Sequence, residues 1–551
     1  MQNNQNRNGY KFFILNQQEY NNQKQNDKMA SAANAEDCTF QRVRVLGRGT
    51  FGMASIVKEL VGPWKGRTFV SKESLRPVAD PRAMLSPAGD NIPSSYGTIP
   101  ESEEEEKGEE PKLKPFLPTD LILEVFIGAA LPQAGVGKRG GYFFSPYLIP
   151  FRDVFFSCAR NVRTGFDTNQ ANLHLISDLA DTDFWHWLHD GLTIKNRPGY
   201  KPDVAQRMLT MFVCQLCGLD YIHSRGVTHG DFKPANVLVK ENWCYLADFG
   251  GPGFPPNSEP KLVTLDYFPP EGSETGGETD DVYALGKSIQ DAMEIGAYGQ
   301  RQRLPSPLSP ANFQKMYRLA RLPAKDFPIL YKLYYYSTIK NAEKRPQSND
   351  LLDLLKRSGV DCPQPPASVV KHELAASEYV SKANRDQFVA TLRQESDKQH
   401  DPRLPFDPKW AIRSINKATS SEWFGPNFRP RMSFLGYQMF EDVSCRYHFG
   451  SRERILALIA CLQIATQILG EFEPLEAVLL DSFGLPVVES WIDRIRMWQM
   501  CLISDLAFGL IPQYLGQDWK QLWNQLTSGK PIVACTRGLR SRQAAARLLP
   551  A

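Results

Sequence analysis

The sequence has no uninterrupted apolar run of the roughly 18 residues that a membrane-crossing helix requires. The nearest candidate, Ile455 to Leu469, is broken by Gln463, Thr466 and Gln467, which makes it a buried amphipathic helix instead. A dominant charge is also missing. Lys plus Arg total 64 against 61 Asp plus Glu, a net charge of +3, so no chain-wide basic field exists to draw nucleic acid or an anionic membrane. Neither a nucleic-acid partner nor a transmembrane segment is expected. The ten cysteines form no compact framework, a pattern that suits reduced thiols better than a disulfide scaffold. Only Cys214 and Cys217 stand close together, inside the apolar stretch Met208 to Ile222, with no second Cys or His pair at metal-ligand spacing. That C-x-x-C reads as packed core, with a metal or redox site as the alternative. Phe12-Phe13-Ile14-Leu15 is the only hydrophobic run in the first thirty residues and is too short for a secretory signal. The expected location is cytoplasmic, with a secretory organelle or secretion as the alternative if the start is misassigned. No internal repeat is present.

What remains is ordinary globular material, 42% hydrophobic and 23% charged, enough at about 150 residues per domain for three or four domains. Residues 1–28 are dominated by Asn and Gln and carry too little apolar surface to offset the entropy of ordering. A disordered leader is therefore expected over 1–39, with Met29 as an alternative start. From Phe40 alternation begins: Val43 and Val45, then Ser55-Ile56-Val57, then Phe69-Val70-Ser71-Lys72, three strands of an antiparallel sheet. A Pro-, Ser- and Gly-rich segment at about 76–115 contains a run of acidic residues from Glu101 and reads as a surface insertion. Asp120 to Ala130 reads as a helix, Tyr147 to Cys158 and Asn172 to Asp178 as strands. The pattern is mostly helical from Phe184 to Leu355. Strands followed by helices predict an α+β fold with a β-rich small lobe and a helical large lobe over 40–357. Beyond it, 358–551 has Pro-rich breaks and then helical stretches with Trp423, Phe424, Phe428, Trp491, Trp498, Trp519 and Trp523, expected to be a mostly helical region. Its aromatics are core, or alternatively a docking surface for a partner.

Four short motifs carry chemistry, in one order. Gly47-Arg-Gly49-Thr-Phe-Gly52 lies between two strands, where glycines let backbone N–H groups approach phosphate oxygens. Lys72 lies on a later strand, placed to reach the α- and β-phosphates of a nucleotide. In His229-Gly-Asp231-Phe-Lys233-Pro-Ala-Asn236, Asp231 can accept a proton from an attacking hydroxyl, Lys233 can steady a transferring phosphoryl group, and Asn236 can ligate a metal. Asp248-Phe-Gly250 supplies a second carboxylate for Mg²⁺.

These motifs resemble those of the eukaryotic protein kinase superfamily over Phe40 to Arg357. Thr264-Leu-Asp-Tyr267-Phe-Pro-Pro270-Glu271 resembles the end of the family's activation segment, Asp281-Val-Tyr-Ala-Leu-Gly286 its lobe-organising helix, and Arg345 the arginine that pairs with the segment's glutamate, here Glu271. The resemblance implies ATP and Mg²⁺ as cofactors, protein substrates, and a bilobal kinase fold. It implies a carboxylate partner for Lys72, assigned to Glu124 with Glu109 and Glu110 as alternatives. It implies a hinge at Asn172 to Ala180, with Ser177 at the gatekeeper position and backbone groups near Asp178 and Ala180 meeting adenine. Ala54 and Val70 would form the adenine roof, with their usual residue types exchanged as a volume-conserving swap across facing positions.

The catalytic loop departs from the family's usual His-Arg-Asp at Gly230. That arginine commonly receives an activation-loop phosphate, so activity independent of such phosphorylation is expected. Lys233 favours Ser/Thr specificity, and the Thr264 hydroxyl is expected to bond Asp231 and Lys233. The His-Gly-Asp loop with a long insertion is reminiscent of the secreted rhoptry kinases of apicomplexan parasites. The expected function is a protein serine/threonine kinase. The alternative is a pseudokinase that acts as a nucleotide-binding scaffold.

Overall fold

Along 53–59 and 69–73 side chains follow the two-residue period of a pleated strand, and burial follows the same rhythm except at Ile56, which is buried on the other face. The computed structural model of the chain describes residues 14–15, 40–48, 52–60, 65–74, 78–79, 124, 127, 147–149, 151–160, 167–192, 202–249, 264–271, 277–364, 404–420, 424–447, 450–469, 476–488, 491–492, 494–495, 498–499, 502 and 518–528. Two units are formed, each from separated stretches. The first takes Met1–Ile122, Asp153–Ile176 and Ser381–Asp505; the second takes Leu123–Arg152, Ser177–Val380 and Leu506–Ala551.

The first unit holds the sheet. Its strands are β1 (Ile14–Leu15), β2 (Phe40–Arg48), β3 (Gly52–Glu59), β4 (Thr68–Ser74), β5 (Val78–Ala79), β6 (Phe151–Arg160) and β7 (Asp167–Asp178). They run in the order β1-β2-β3-β4-β7-β5, with β6 paired to β7. Strands β2, β3 and β4 are the expected antiparallel meander. Within the Asn/Gln-rich leader, β1 pairs parallel with Phe40 and Gln41. Met53, Ser55, Val57, Glu59, Phe69, Ser71 and Glu73 are buried, while Ala54, Val70 and Lys72, on the opposite face, are half-buried. Phe40 and Phe69 meet edge to face at 6.4 Å, a favoured aromatic geometry. The buried face also carries polar groups. Ser71 Oγ lies 3.0 Å from His174 Nδ1, and Arg42 donates to Glu73 at 2.6 Å. Burial, with Arg42 nearby, pushes His174 down to about 3, so its ring is neutral at pH 7 and its 3.5 Å approach to Glu73 is not an ion pair.

The second unit is built on one buried helix. After β8 (Thr182–Asp183) come α1 (Phe184–Leu192), α2 (Pro202–His223), the hairpin β9 (Val237–Lys240) and β10 (Trp243–Leu246), then α3 (Glu278–Tyr298), α4 (Pro310–Leu319), α5 (Phe327–Ser337) and α6 (Ser348–Arg357). Every residue of α3 from Asp281 to Ile295 is buried, as expected of a helix surrounded on all sides. Helices α1, α2, α4, α5 and α6 pack around it. At Gly286 a Cβ would stand 2.7 Å from Thr338 Cγ2 and 2.8 Å from Ser337 Cβ, so glycine permits the close approach of α3 to the end of α5.

The helices beyond residue 404 are α7 (Pro408–Ala418), α8 (Phe428–Tyr447), α9 (Ser451–Leu469) and α10 (Glu476–Ser482), all in the first unit, and α11 (Trp519–Thr527) in the second. Asp407 caps α7 by accepting from the N–H groups of Lys409 and Trp410, the usual service of an N-cap carboxylate. Helices α8 and α9 pack together, and Phe434, Leu435 and Phe440 of α8 and Leu458 and Leu462 of α9 are fully buried. The glutamines that interrupt α9 are buried with it. Phe424, Trp498, Trp519 and Trp523 are buried aromatics, while Trp423 lies outside the described residues. Among the described residues no helix is long and apolar enough to cross a membrane.

Candidate active site

The hairpin β9–β10 assembles one side of the site. Glu241 and Asn242 at its tip have φ of 52° and 61°, the double positive φ of a tight hairpin turn. Its register pairs Val237 with Leu246, which brings Asn236 and Asp248, two of the proposed metal ligands, to the same open end. Two bonds lock that end: Ala247 N–H donates to Asn236 O at 3.0 Å, and His229 Nε2 meets Ala247 O at 3.1 Å. Asp248 itself takes φ of 64°, a conformation unusual for a residue with a side chain and concentrated at functional sites.

Asp231 is the hub. Lys233 Nζ donates to its Oδ2 at 2.5 Å, and the Thr264 N–H and hydroxyl donate to its Oδ1 at 3.0 and 2.7 Å. Lys233 also donates to the Thr264 hydroxyl at 2.8 Å. The expected triangle of Thr264, Asp231 and Lys233 is therefore present. Asn236 Nδ2 donates to the backbone carbonyl of Asp231 at 2.9 Å and to its Oδ2 at 3.2 Å, which assigns the amide oxygen as the atom available for a cation. Asp231 and Lys233 are partly exposed, with side-chain exposures of 18% and 24%, so a substrate hydroxyl has access. A cavity of about 20 Å³ borders Asp231, Thr264, Tyr267 and Asp281, roughly the room one water needs.

The loop that carries Asp231 is anchored from below by Asp281 of α3. Its carboxylate accepts the N–H groups of His229 at 2.6 Å and Gly230 at 3.0 Å, and meets His223 Nε2 at 2.9 Å. Burial acts to raise this carboxyl, but the bonds from His223 and His229 outweigh it and leave it below its ordinary value. The far nitrogen of His223 reaches Ser348, at the start of α6, at 3.0 Å. Gly230 has φ of 75°, so the position where the family usually has arginine is in left-handed backbone here.

The stretch from Thr264 to Glu271 is held similarly. Arg345, whose side chain is fully buried, pairs with Glu271 and donates to Thr279 O at 3.0 Å and Ile339 O at 2.9 Å. Tyr267 donates to Asp291 at 2.6 Å, and Arg301 bridges Asp291 at 2.6 Å and Asp266 at 2.9 Å.

The remaining expected residues divide between the units. Gly47, Gly52, Ala54, Val70 and Lys72 lie on the sheet of the first, and Gly49 falls outside the described residues. The register sets Ala54 opposite Lys72 and Val70 opposite Ile56, so Ala54 and Val70 share a face as diagonal neighbours instead of meeting directly. In the second unit Glu124 is helical and half-buried, Ser177 and Ala180 are half-buried, and Asp178 is buried. The Asp178 carboxylate is bound by the Arg152 guanidinium through two bonds of 2.6 and 2.7 Å. Sequence reasoning missed Arg152, which no motif marks, and used Asp281 only to locate a helix. Asp281 is one of three acidic residues in the first turn of α3, with Glu278 and Asp280, so no signal in the sequence singled it out.

Residues 146–357 match the family model described as the protein kinase domain. This stretch is similar to a protein kinase domain. The matched range includes the catalytic loop, the hairpin and α3, while β2 to β4 lie before it. Proteins similar to parts of the chain include a mouse "MAPK/MAK/MRK overlapping kinase", 31% identical over 86 residues, covering 15% of this chain and 18% of the relative. The mouse "Sperm motility kinase Z" is 29% identical over 190 residues, 33% of this chain and 36% of the relative. The "Serine/threonine-protein kinase crk1" of Schizosaccharomyces pombe is 29% identical over 133 residues, 23% of this chain and 37% of the relative. The similarity thus spans well under half the length of each of these relatives.

Proposed function

We propose that the domain is an active serine/threonine kinase that transfers the γ-phosphate of ATP to a hydroxyl of a protein substrate. The observation that carries this reading is the closed set of bonds around Asp231, in which Lys233, Thr264 and Asn236 fix the carboxylate while leaving it accessible. A base held in this way can orient the incoming hydroxyl and receive its proton, and most of the rate gain in phosphoryl transfer comes from such positioning. Lys233 places a cation beside the reacting centre. Asn236 and Asp248 are hard oxygen donors of the kind Mg²⁺ selects, and the ion, when bound with ATP, supplies charge neutralisation at the phosphates. Lys72 is assigned to the α- and β-phosphates and Glu124 to its support. Gly230 offers no guanidinium to an activation-loop phosphate, so activity is independent of such phosphorylation; inactivation by phosphatase treatment would contradict this.

The deciding experiment measures radiolabelled phosphate transfer from ATP to a generic protein substrate by the wild type and Asp231→Asn. Transfer by the wild type that is lost in the variant supports the reading. Equal signals would sink it, and ATP binding without transfer in the wild type would favour a nucleotide-binding scaffold.

A further inference from the structure

Helices α4 and α5 pack antiparallel, as their rings show: Phe313 meets Tyr331 at 5.2 Å and Tyr334 at 4.8 Å, while Tyr317 meets Phe327 at 5.0 Å. On α5, Phe327, Tyr331 and Tyr335 recur every four residues and so share one face. Their rings form a continuous series, with centroids 5.9 and 6.2 Å apart, and Tyr336 extends it at 5.4 Å. The series climbs out of the core: Phe327 and Tyr331 are half-buried, whereas Tyr335 and Tyr336 are 51% and 38% exposed. The surrounding charge is one-sided. Residues 309–337 carry five cations, Lys315, Arg318, Arg321, Lys325 and Lys332, all exposed, and one acid, the half-buried Asp326. The whole chain, by contrast, has a net charge of only +3. Among the described residues none of the five cations makes an ion pair.

We propose that the exposed face of α4 and α5 docks an acidic segment of the protein substrate, one that also carries aromatic or aliphatic side chains. That the partner is a substrate rests on the kinase reading above; that it is acidic rests on this surface alone. Charge complementarity selects the occupant, because unpaired cations draw a carboxylate-rich chain and repel a basic one. Tyr335 and Tyr336 add apolar area with few torsions to freeze. Tyr335 leans on Tyr331, itself held against Phe313, so little ordering entropy is lost on contact. A nucleic acid fits less well. Phe327 and Tyr331 stack with 7° between their planes, which takes up one face of each ring that a base would need.

The position along α3 sets the reach. Tyr334 of α5 donates to Gln290 at 3.3 Å, and Ala320, just after α4, abuts Gly296, where a Cβ would stand 2.6 Å from its own. Asp281, which anchors the loop of Asp231, lies about 14 to 22 Å back along the same helix. An extended peptide advances about 3.3 Å per residue, so at least about four to seven residues must separate the acidic segment from the hydroxyl that reaches Asp231. A docked segment raises the local concentration of the acceptor without entering the site, which lowers KM and leaves kcat unchanged.

The test uses the full chain and a fluorescent Glu-rich peptide that contains Phe and no phosphorylatable residue, with binding read by anisotropy. Wild type and Asp231→Asn should bind it alike, since the base takes no part in docking. Arg318→Glu combined with Lys332→Glu should weaken binding at least about tenfold, as should Tyr335→Ala combined with Tyr336→Ala. Lys65→Glu, which reverses an exposed charge in the other unit, should leave it unchanged. Phosphate transfer is then measured to a peptide whose Ser lies about ten residues from the same acidic tract. Its KM should be about tenfold below that of the Ser peptide alone, and the Arg318→Glu, Lys332→Glu variant should abolish the difference. Absence of binding, or binding that survives the charge reversals, overturns the proposal, as does tighter charge-dependent binding of oligouridylate or of phosphatidylserine vesicles. Peptide binding without phosphate transfer by the wild type would refute the kinase reading and keep an acidic partner; transfer without peptide binding would do the reverse. Should the tyrosine variant fail to fold, the charge reversals decide.

Discussion

The Thr264 hydroxyl donates to Asp231 Oδ1 at 2.7 Å while accepting from Lys233 Nζ at 2.8 Å, so one small group spaces a base and a cation that also touch directly. Thr264→Val keeps the backbone N–H bond to Asp231 but removes both hydroxyl bonds. The expected outcome is a fall in kcat of about 10- to 100-fold, because the carboxylate loses its fixed aim. Thr264→Ser retains the hydroxyl and should stay within a few-fold of wild type. Steady-state kinetics on both variants check the assignment.

Asp281 accepts three hydrogen bonds in a fully buried setting. In Asp281→Asn the charge is lost, and one amide group must turn its own N–H toward a donor. Destabilisation of about 3 kcal/mol is expected, the size associated with hydrogen bonds to a buried charged group. Urea unfolding measures it. Activity should fall further than the unfolded fraction accounts for, because the loop carrying Asp231 loses its anchor.

Gly230 occupies left-handed backbone at φ of 75°. A Cβ there meets the carbonyl clash that disfavours this region for other residues, so Gly230→Ala should lose about 1–2 kcal/mol of stability. Denaturant melts of the wild type and variant test it. An unchanged midpoint would mean that the loop relaxes to another conformation.

His174 is held neutral, with its folded value lowered to about 3 from an ordinary 6.5. A depressed histidine stabilises the fold fully above pH 6.5 and loses that contribution as pH falls toward 3, because the unfolded chain takes up the proton first. Stability of the sheet should therefore decline by up to about 1.4 kcal/mol per pH unit over that window. His174→Gln, which can still bond Ser71, should flatten the decline in urea melts recorded from pH 7 downward.

The proposed catalytic loop could be singled out because its chemistry-bearing residue types are written within eight consecutive residues, from His229 to Asn236, and Asp248, the proposed second metal ligand, follows one hairpin later. Arg345 and Glu271 were legible only through family resemblance. The pairs that hold the site were not legible at all. Arg152 with Asp178, and Asp281 with the N–H groups of His229 and Gly230, join residues far apart in sequence, and two of the donors are backbone groups identical at every position. Register was equally hidden. Ala54 and Val70 were read as facing each other because the sequence names the residue types without fixing the pairing, whereas the ladder sets Ala54 against Lys72. A slip of one residue would have put Lys72 on the buried face.

The unbroken burial of α3 from Asp281 to Ile295 also governs how the domain opens. Amides that donate to such an element exchange with solvent only when the element itself comes apart. His229 and Gly230 belong to a loop, yet their N–H groups end on Asp281, so in deuterium they should exchange as slowly as the deepest helix. Asp231, the proposed base, would then remain in register through the partial openings that expose the outer helices, and would be lost only with the whole unit.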